Sequence, residues 1–284
     1  MTEPSKTTRR PRSLVQRQKV QARMTASSED ADSAIGVRAF ERGLDVIRAF
    51  SSQQRAMTIT EVAAQTGQSR ASARRLLGSL VRLRYAATDG QTYWLTPAVL
   101  ELGYAYLSSN LVWDRVQPYM QQVVAELNES CSLGVLDLPA VVYVARVPAR
   151  RIVMTVSINI GTKIPAAVSS MGRLLLAYQP RSVVESYLDE HPLQKFTPHT
   201  VVDRERFFEI LDQARTDGWL LIDEEFEEGL RSIAVPIRDR SGAVVAAINV
   251  GAPTSRATRE QMISRFLPVI KEAATRANHS LSLG

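Results

Sequence analysis

Arginines and small polar residues gather at the start of one predicted helix, in a pattern that is typical of DNA recognition. The apolar positions of this helix recur at helical spacing and predict its buried side: Ala73, Leu76, Leu77, Leu80 and Leu83. The positions predicted to face outward near its N-terminus are Arg70, Ala71, Ser72, Arg74 and Arg75. Arginine binds guanine through two hydrogen bonds, while serine and alanine permit close approach. Because a recognition helix enters the major groove N-terminus first, we expect these side chains to contact DNA.

Residues on either side of this helix extend the predicted DNA-binding surface. Thr60 and Ser69 are predicted N-caps, where a hydroxyl and free backbone N–H groups suit a phosphate. Gln91 lies in the predicted wing, residues 89–92, near the DNA backbone or the minor groove. The alternative is that the arginines form an ordinary solvated helix face. The glycine turn before them and the Asp-Gly turn after them favour the DNA-binding interpretation.

A second group of residues predicts a binding pocket for a small anion. Ser169, Ser170, Met171 and Gly172 lie at the start of an apolar helix, and free N–H groups at a helix start favour a carboxylate. Asn249 is a lone polar residue in an apolar strand, and such a residue needs a backbone or ligand partner. These residues therefore predict an effector pocket. The alternative is an ordinary helix cap and a core asparagine that the protein itself satisfies.

Signatures of catalysis, metal binding and nucleotide binding are missing from the sequence. His191, His199 and His279 are scattered, with no pair at ligand spacing. Cys131 is predicted to be a buried structural thiol rather than a nucleophile or sensor. The acidic run 223–228 is interpreted as a solvated loop, with carboxylate catalysis or a metal as the alternative. We predict no catalytic residue, no metal site and no cofactor.

The elements around the arginine-bearing helix predict a winged helix-turn-helix. A first amphipathic helix is predicted from apolar residues at helical spacing: Phe40, Leu44, Ile47 and Phe50. A short helix follows, with Thr58 or Thr60 as its N-cap, and Gly67 suits the positive φ of a tight turn after it. Strand-like runs at 85–88 and 92–95 are joined across an Asp-Gly dipeptide, which favours a two-residue type I′ hairpin turn.

A further helix is predicted to link the winged helix to the rest of the chain. Thr96-Pro97 begins it, since proline is favoured at the first helical position. Its apolar residues recur at spacings typical of a coiled-coil seam: Leu100, Tyr104, Leu107 and Leu111. The pattern suits either dimerisation or packing against the chain's own domain. A two-fold dimer would present two recognition helices to a palindromic operator.

The remaining two thirds of the chain alternate strand-like and helix-like runs. The predicted strands are residues 132–138, 141–147, 152–160, 219–222, 233–238 and 244–251. The predicted helices are residues 114–129, 172–178, 181–189, 203–217 and 258–281. A hairpin turn is predicted at 239–242, and a capping box is formed by Thr258 and Gln261. This order predicts an α+β fold, with an α/β sandwich built on a mainly antiparallel sheet.

Charge is distributed unevenly along the chain. Residues 1–34 hold 7 Lys/Arg against 4 Asp/Glu, residues 35–100 hold 9 against 4, and residues 101–284 hold 19 against 21. The basic excess near the N-terminus indicates an anionic partner there. The predicted domains are a disordered basic tail (1–34), a winged helix (35–96), a linker or dimerisation helix (97–113) and an effector-binding domain (114–284). The tail is interpreted as solvated, with a DNA-gripping arm as the alternative.

Two further properties of the sequence bear on the compartment in which the protein works. No run approaches the roughly 18 apolar residues of a membrane span. The single cysteine fits a reducing cytoplasm. We therefore expect a cytoplasmic protein with no membrane partner.

In combination, these segments resemble the IclR family of bacterial transcriptional regulators. The motifs that carry the resemblance are ERGLDVIRAF, TITEVAAQTGQSRASARRLL, SSMGRLLLA, DEEFEEGLRSIAVPIRD and AAINVGAPTSR. Two more, LTPAVLELGYAYLSS and VYVARVPARRI, are most similar to the branch that regulates the protocatechuate, 4-hydroxybenzoate and β-ketoadipate pathway. The resemblance implies an N-terminal winged helix-turn-helix, a linker helix and a C-terminal GAF-like effector domain.

The resemblance also implies an effector pocket beside the SSMG helix. Its positions in this sequence are Val153, Val156, Ser170, Met171, Ile222, Leu230, Ser232, Asn249 and Gly251. Strand alternation along 152–160 instead places Met154 with Val156 on one face. Some relatives have an acidic residue at the position of Ile222, so isoleucine here implies a more apolar site. That change favours an aromatic ring over a small keto acid.

Together these features predict a ligand-responsive transcriptional regulator of aromatic acid catabolism. Its expected partners are an operator in double-stranded DNA, a small aromatic or dicarboxylic acid, and further copies of itself in a homodimer or a dimer of dimers. One alternative is an enzyme of small aromatic acids with an accessory DNA-binding domain. Others are a regulator of the same family that senses a different small carboxylic acid, and an architectural DNA binder without a ligand.

Overall fold

The computed structural model describes residues 37–51, 53–109, 112–149 and 158–282. The chain divides into two compact units, and the division falls between residues 110 and 111. The predicted tail lies outside the described residues, as do residues 152–157 of one predicted strand and Leu111 of the predicted seam. Among the described residues, no helix combines the length and apolar character needed to cross a membrane.

The N-terminal unit is the predicted winged helix-turn-helix with the linker helix attached. In chain order it contains α1 (Arg38–Ala49), β1 (Met57–Thr58), α2 (Ile59–Thr66), α3 (Arg70–Arg82), β2 (Ala86–Thr88), β3 (Thr92–Leu95), a 3₁₀ turn (Pro97–Val99) and α4 (Leu100–Ser108). The sequence did not predict β1, which pairs antiparallel with β3 and completes a three-stranded sheet. A two-residue strand carries too little periodicity to be recognised in a sequence.

Two caps and a glycine determine where α2 and α3 begin and end. Thr58 is the N-cap of α2 and forms a capping box with Glu61, so Thr60, the other candidate, is an exposed residue inside the first turn. Gly67 ends α2 at φ 63°, a conformation that glycine adopts without steric cost. Ser69 then caps α3, as predicted, by accepting a hydrogen bond from the backbone N–H of Ser72 at 3.2 Å.

The core of this unit is smaller than the apolar pattern suggested. It is built from Val46, Ala49, Met57, Val62, Ala63, Ala73, Leu77, Leu80 and Ala86. Phe40 and Leu83, both predicted on buried helix faces, are 68% and 60% exposed. Phe40 lies in the first turn of α1, and Leu83 is the residue that ends α3, so each lies beyond the part of its helix that packs.

The wing differs from the predicted two-residue type I′ turn. Its loop has three residues, 89–91, and among them only Gly90 has a positive φ, whereas a type I′ turn requires two. The carboxylate of Asp89 accepts hydrogen bonds from the backbone N–H groups of Gln91 and Thr92. These bonds lower the pKa of Asp89 and hold the loop in its own turn conformation.

The linker helix exposes an apolar face. Leu100 and Tyr104, one helical turn apart, are 74% and 70% exposed. Leu107, the next position of the predicted seam, is half-buried. The described residues of the N-terminal unit leave Leu100 and Tyr104 uncovered.

The C-terminal unit is an antiparallel sheet with helices on both faces. It contains α5 (Val112–Leu127), β4 (Cys131–Asp137), β5 (Ala140–Val147), β6 (Lys163–Pro165), a 3₁₀ turn (Ala166–Val168), α6 (Ser170–Ala177), α7 (Arg181–Glu190), α8 (Arg204–Asp217), β7 (Leu220–Asp223), β8 (Leu230–Arg238) and β9 (Val244–Pro253). The C-terminal helix has three parts: α9 (Arg259–Gln261), a π-helical turn (Met262–Phe266) and α10 (Leu267–Ser282). The predicted capping box of Thr258 and Gln261 begins it.

The six strands follow the order β6-β5-β4-β9-β8-β7, and neighbouring strands pair antiparallel. Helix α6 packs against one face, while α5 and α10 pack together against the sheet from the other. This confirms the predicted sandwich. A strand was predicted at 152–160, and for the described residues 158–160 this prediction is wrong. They form a loop and a turn that lead into β6.

Candidate functional site

The start of α3 presents a basic surface. Arg70, Ala71, Arg74 and Arg75 are exposed, as predicted from the apolar spacing. Among the ion pairs of the described residues, none includes these three arginines. Ser69 caps α3 and thereby fixes where the helix begins. The three arginines lie on the first two turns after this cap.

Ser72 does not belong to this surface. It is only 8% exposed, and its hydroxyl donates a hydrogen bond to the side-chain oxygen of Gln68 at 3.0 Å. The predicted outward position is therefore wrong, because Ser72 adjoins Ala73 on the side of α3 that packs on the core. Thr60 is also not the phosphate-binding cap that was predicted, since the cap is Thr58. Gln91 is exposed in the wing loop.

The C-terminal unit contains a cavity between the sheet and the start of α6. One part of its wall is polar: Ser130, Ser132, Tyr143, Arg146, Ser169, Ser170, Glu227, Ser232 and Asn249. The rest is apolar or lacks a side chain: Ile158, Ile164, Val168, Ile222, Phe226, Leu230 and Gly251. This mixture of hydroxyl, amide and charged groups with an apolar wall suits a small organic acid.

Hydroxyl and amide groups are linked across this cavity. Ser232 donates to the hydroxyl of Ser170 at 2.9 Å, and the amide of Asn249 lies 3.4 Å from the same oxygen. The hydroxyl of Tyr143 interacts with Ser169 and Asn249, while burial raises the pKa of Tyr143 to about 12. Asn249 thus has protein partners, as its burial requires, and it also lines the cavity.

Most of the predicted pocket residues that the structure describes line the cavity. They are Ser169, Ser170, Ile222, Leu230, Ser232, Asn249 and Gly251. Met171 and Gly172 do not line it: Met171 packs beneath Gly134, and Gly172 lies against the 3₁₀ turn. A Cβ on Gly172 would lie 2.6 Å from the Cα of Ala166, so this position requires glycine. Val153, Met154 and Val156 lie outside the described residues.

Several cavity residues were missed by the sequence reasoning. Arg146 and Tyr143 lie on β5, Ser132 lies on β4, and Ser130 directly precedes β4. Ile164 lies on the edge strand β6 and Val168 in the 3₁₀ turn, while loops carry Ile158, Phe226 and Glu227. A signal for Arg146 was present, because it is a lone charged residue in the apolar run 141–147. The same kind of signal led to Asn249.

The acidic run 223–228 is not the solvated loop that was predicted. Glu225 is 8% exposed and accepts two hydrogen bonds from the guanidinium of Arg173, at 2.7 and 2.9 Å. The same guanidinium donates to the carbonyl of Ala167, and Glu225 also accepts from the backbone N–H of Val201. This buried pair joins the loop that carries Phe226 and Glu227 to the turn that precedes α6.

Neither a metal-binding cluster nor an exposed thiol is present in the described part of the chain. None of its histidines, cysteines and carboxylates form a cluster of three able to hold a metal ion. Cys131 is fully buried, and burial raises the pKa of its thiol, which disfavours the reactive thiolate. The buried thiol is the one that the sequence predicted.

The two units together define a class of protein: a winged helix-turn-helix unit with a basic helix, followed by a unit with a cavity lined by polar and apolar groups. Comparison with known families identifies both parts. Residues 39–90 match the IclR helix-turn-helix domain, and residues 104–279 match the C-terminal domain of the bacterial transcriptional regulator IclR. The chain belongs to the IclR family of bacterial transcriptional regulators.

Individual relatives agree with this assignment. The Pca regulon regulatory protein of Pseudomonas putida is 40% identical over 240 residues, which cover 84% of this chain and 82% of that protein. A solved structure of a candidate transcriptional regulator from Rhodococcus sp. RHA1 is 42% identical and superposes with a TM-score of 0.78, covering 87% of this chain and 99% of that one.

A third relative is a domain crystallised with an aromatic acid. It is a double mutant of the inducer-binding domain of the PobR transcription factor from Acinetobacter, in complex with 3-hydroxybenzoic acid. It is 31% identical to this chain, with a TM-score of 0.54, and the match covers 57% of this chain and 94% of that one.

Proposed function

We propose that this protein controls genes of aromatic acid catabolism and that a small aromatic acid bound in its cavity changes its action at an operator. The observation that carries the proposal is the cavity itself. Its polar groups, Arg146 and the Ser170–Asn249 cluster among them, suit a carboxylate and ring hydroxyls, while Ile222, Phe226 and Leu230 suit an aromatic ring.

The names of the relatives support the same class of effector. The Pseudomonas relative is named for the Pca regulon, and the Acinetobacter domain was crystallised with 3-hydroxybenzoic acid. Both relatives are at least 30% identical to this chain. A different small carboxylic acid, including a dicarboxylic acid, is the alternative within the family. The buried isoleucine at position 222 favours the ring.

The proposal extends to DNA and to further copies of the chain. We expect Ser69, Arg70, Ala71, Arg74 and Arg75 to contact a palindromic operator, with Gln91 near its backbone. The exposed apolar face of α4 supports a homodimer, or a dimer of dimers, that presents two recognition helices. Effector binding would then favour one spacing of these helices over another.

The described residues contain no cluster able to hold a metal ion, and the named relatives are regulators. We therefore infer that the protein is not an enzyme, needs no cofactor, and acts in the cytoplasm, where its DNA target lies.

Thermal unfolding of the full chain tests the effector. Protocatechuate, 4-hydroxybenzoate and β-ketoadipate are added at about 100 times the dissociation constant, where one bound ligand stabilises the folded protein by about 2.7 kcal/mol. We expect the aromatic acids to raise the melting temperature. Benzyl alcohol, which has the ring without the carboxylate, is the control. A melting temperature that no acid raises would contradict the proposal.

A further inference from the structure

The strand register places Arg146 on the cavity face of the sheet. Ser132 on β4 pairs with Arg146 on β5 and with Asn249 on β9, so these three side chains share one face. Tyr143 also lies at the cavity, although a separation of three residues in a regular strand would place it on the opposite face from Arg146. A register shift between Leu133 and Gly134 inserts one extra residue into β5 and brings both side chains to the same face.

The surroundings of Arg146 differ from those of other arginines in the same unit. Arg173, Arg231 and Arg256 each form an ion pair, with Glu225, Asp223 and Glu129 respectively. Arg146 is half-buried, and its guanidinium donates to the hydroxyl of Ser132 at 3.1 Å.

Among the described residues, no carboxylate lies within ion-pair distance of Arg146. A half-buried guanidinium without an acidic partner has donors available for an anion that enters the cavity.

Charge at the two ends of the cavity gives a bound acid one favourable orientation. Glu227 also lines the cavity, beyond β8, whereas Arg146 lies on β5 with β4 and β9 between them. A carboxylate near Glu227 would meet a like charge, and the hydroxyls beside α6 are neutral. Among the described residues that line the cavity, Arg146 is the one cation, and a partly desolvated carboxylate needs a cation.

We propose that Arg146 binds the carboxylate of the effector and thereby selects acids over their neutral analogues. The inference rests on the proposed function and deepens it by assigning the residue that determines specificity. Ser132 holds the guanidinium in place, and its planar fork offers a carboxylate two parallel hydrogen bonds. The ring then lies toward Ile222 and Leu230.

Isothermal titration calorimetry on the full chain tests this assignment with paired probes. The probes are 4-hydroxybenzoate and 3,4-dihydroxybenzoate, each compared with its primary amide, which has the same shape but no charge. We expect Arg146→Gln to weaken binding of the acids about 10- to 100-fold, the size of a lost charged hydrogen bond, and to leave amide affinity nearly unchanged. Arg240→Gln, which removes an exposed charge from the β8–β9 turn, should change neither.

The outcomes separate this inference from the proposed function. Failure of both acids to bind the wild-type chain would contradict the effector proposal itself. Acid affinity that is the same in Arg146→Gln as in the wild type would overturn the role of Arg146 alone, and would move the carboxylate to the start of α6. Equal losses for acid and amide would also overturn it, since they indicate damage to the cavity. If Arg146→Gln does not fold, Arg146→Lys should retain a preference for the acids over the amides, because it keeps the charge.

Discussion

The arginines at the start of α3 combine exposure with a rigid support. Arg70, Arg74 and Arg75 are exposed, and the helix that carries them is anchored by Ala73, Leu77 and Leu80 in the core. A side chain on such a helix needs little reorganisation to reach a base edge. An arginine on a mobile loop would lose more conformational freedom on binding.

Arg74 is expected to provide sequence-specific contact. We predict that Arg74→Ala weakens binding to the specific operator by about 1–3 kcal/mol, the contribution of a bidentate contact to a base. Fluorescence anisotropy with operator and random duplexes at fixed salt measures the change. The matched control is Arg82→Ala, an equal charge loss at the other, exposed end of α3. An equal loss on both duplexes would show that Arg74 contacts only phosphate.

The buried Arg173–Glu225 pair positions the loop beside the cavity. Arg173 is 1% exposed, and its guanidinium also lies over the ring of Phe207 at 5.3 Å. Burying two charges is costly, and such a pair persists where hydrogen bonds replace the lost water, as four bonds from the guanidinium of Arg173 do here. The pair therefore fixes the loop beside the cavity rather than acting on a ligand itself.

At the scale of elements, the capping box of α2 sets the start of the helix-turn-helix. The side chains of Thr58 and Glu61 each accept a hydrogen bond from the other's backbone N–H, at 3.3 and 2.7 Å. The backbone N–H and the hydroxyl of Thr58 both donate to the carboxylate of Glu61, and these two bonds lower its pKa. Two donors at the helix start, which have no partner within the helix, are thereby satisfied.

Removing this cap tests the boundary directly. We predict that Thr58→Ala lowers the free energy of unfolding of the winged-helix unit by about 1 kcal/mol, the usual contribution of an N-cap. Thr60→Ala, two residues along and exposed, should change it by less than about 0.5 kcal/mol. Urea denaturation followed by circular dichroism measures both. The opposite order of the two effects would mean that Thr60 is the cap.

At the scale of the whole molecule, the exposed face of α4 bears on assembly. Leu100 and Tyr104 together expose a large apolar surface on one side of the helix. Burying such a surface against a second copy would favour a dimer, because each square ångström of apolar area removed from water contributes about 25 cal/mol before the entropic cost of association is subtracted. Two-fold symmetry would place two α3 helices at half-sites about one turn of DNA apart.

Substitution on α4 is expected to weaken the proposed dimer. We predict that Leu100→Ser combined with Tyr104→Ser shifts the protein toward lower oligomers and reduces operator affinity, because a monomer contacts one half-site. Analytical ultracentrifugation measures the mass, and the control is Glu101→Gln on the neighbouring exposed position. An unchanged mass distribution would mean that copies of the chain associate elsewhere.

Local signals in the sequence were enough to predict most elements and much of the cavity. Helical spacing, the Ser69 cap, Gly67 and the hairpin at 239–242 depend on neighbouring residues, and the structure has them as expected. Asn249 was found because it is a lone polar residue in an apolar strand, Ser170 because it lies at a helix start, and Ser232 because its motif resembles a known family. Such patterns depend on a few neighbouring residues, so they can be recognised in the sequence without knowledge of the fold.

The sequence by itself determined the class of the protein, through the basic helix, the wing and the order of strands. Only the tertiary structure decided which side chains meet. It buried Ser72 and Glu225, exposed Phe40, and turned Arg146 toward the cavity. The physical reason is that burial and partners depend on strand register and on packing between distant segments. A single extra residue in β5 changes the face of the sheet on which a charge lies, and no local pattern records that shift.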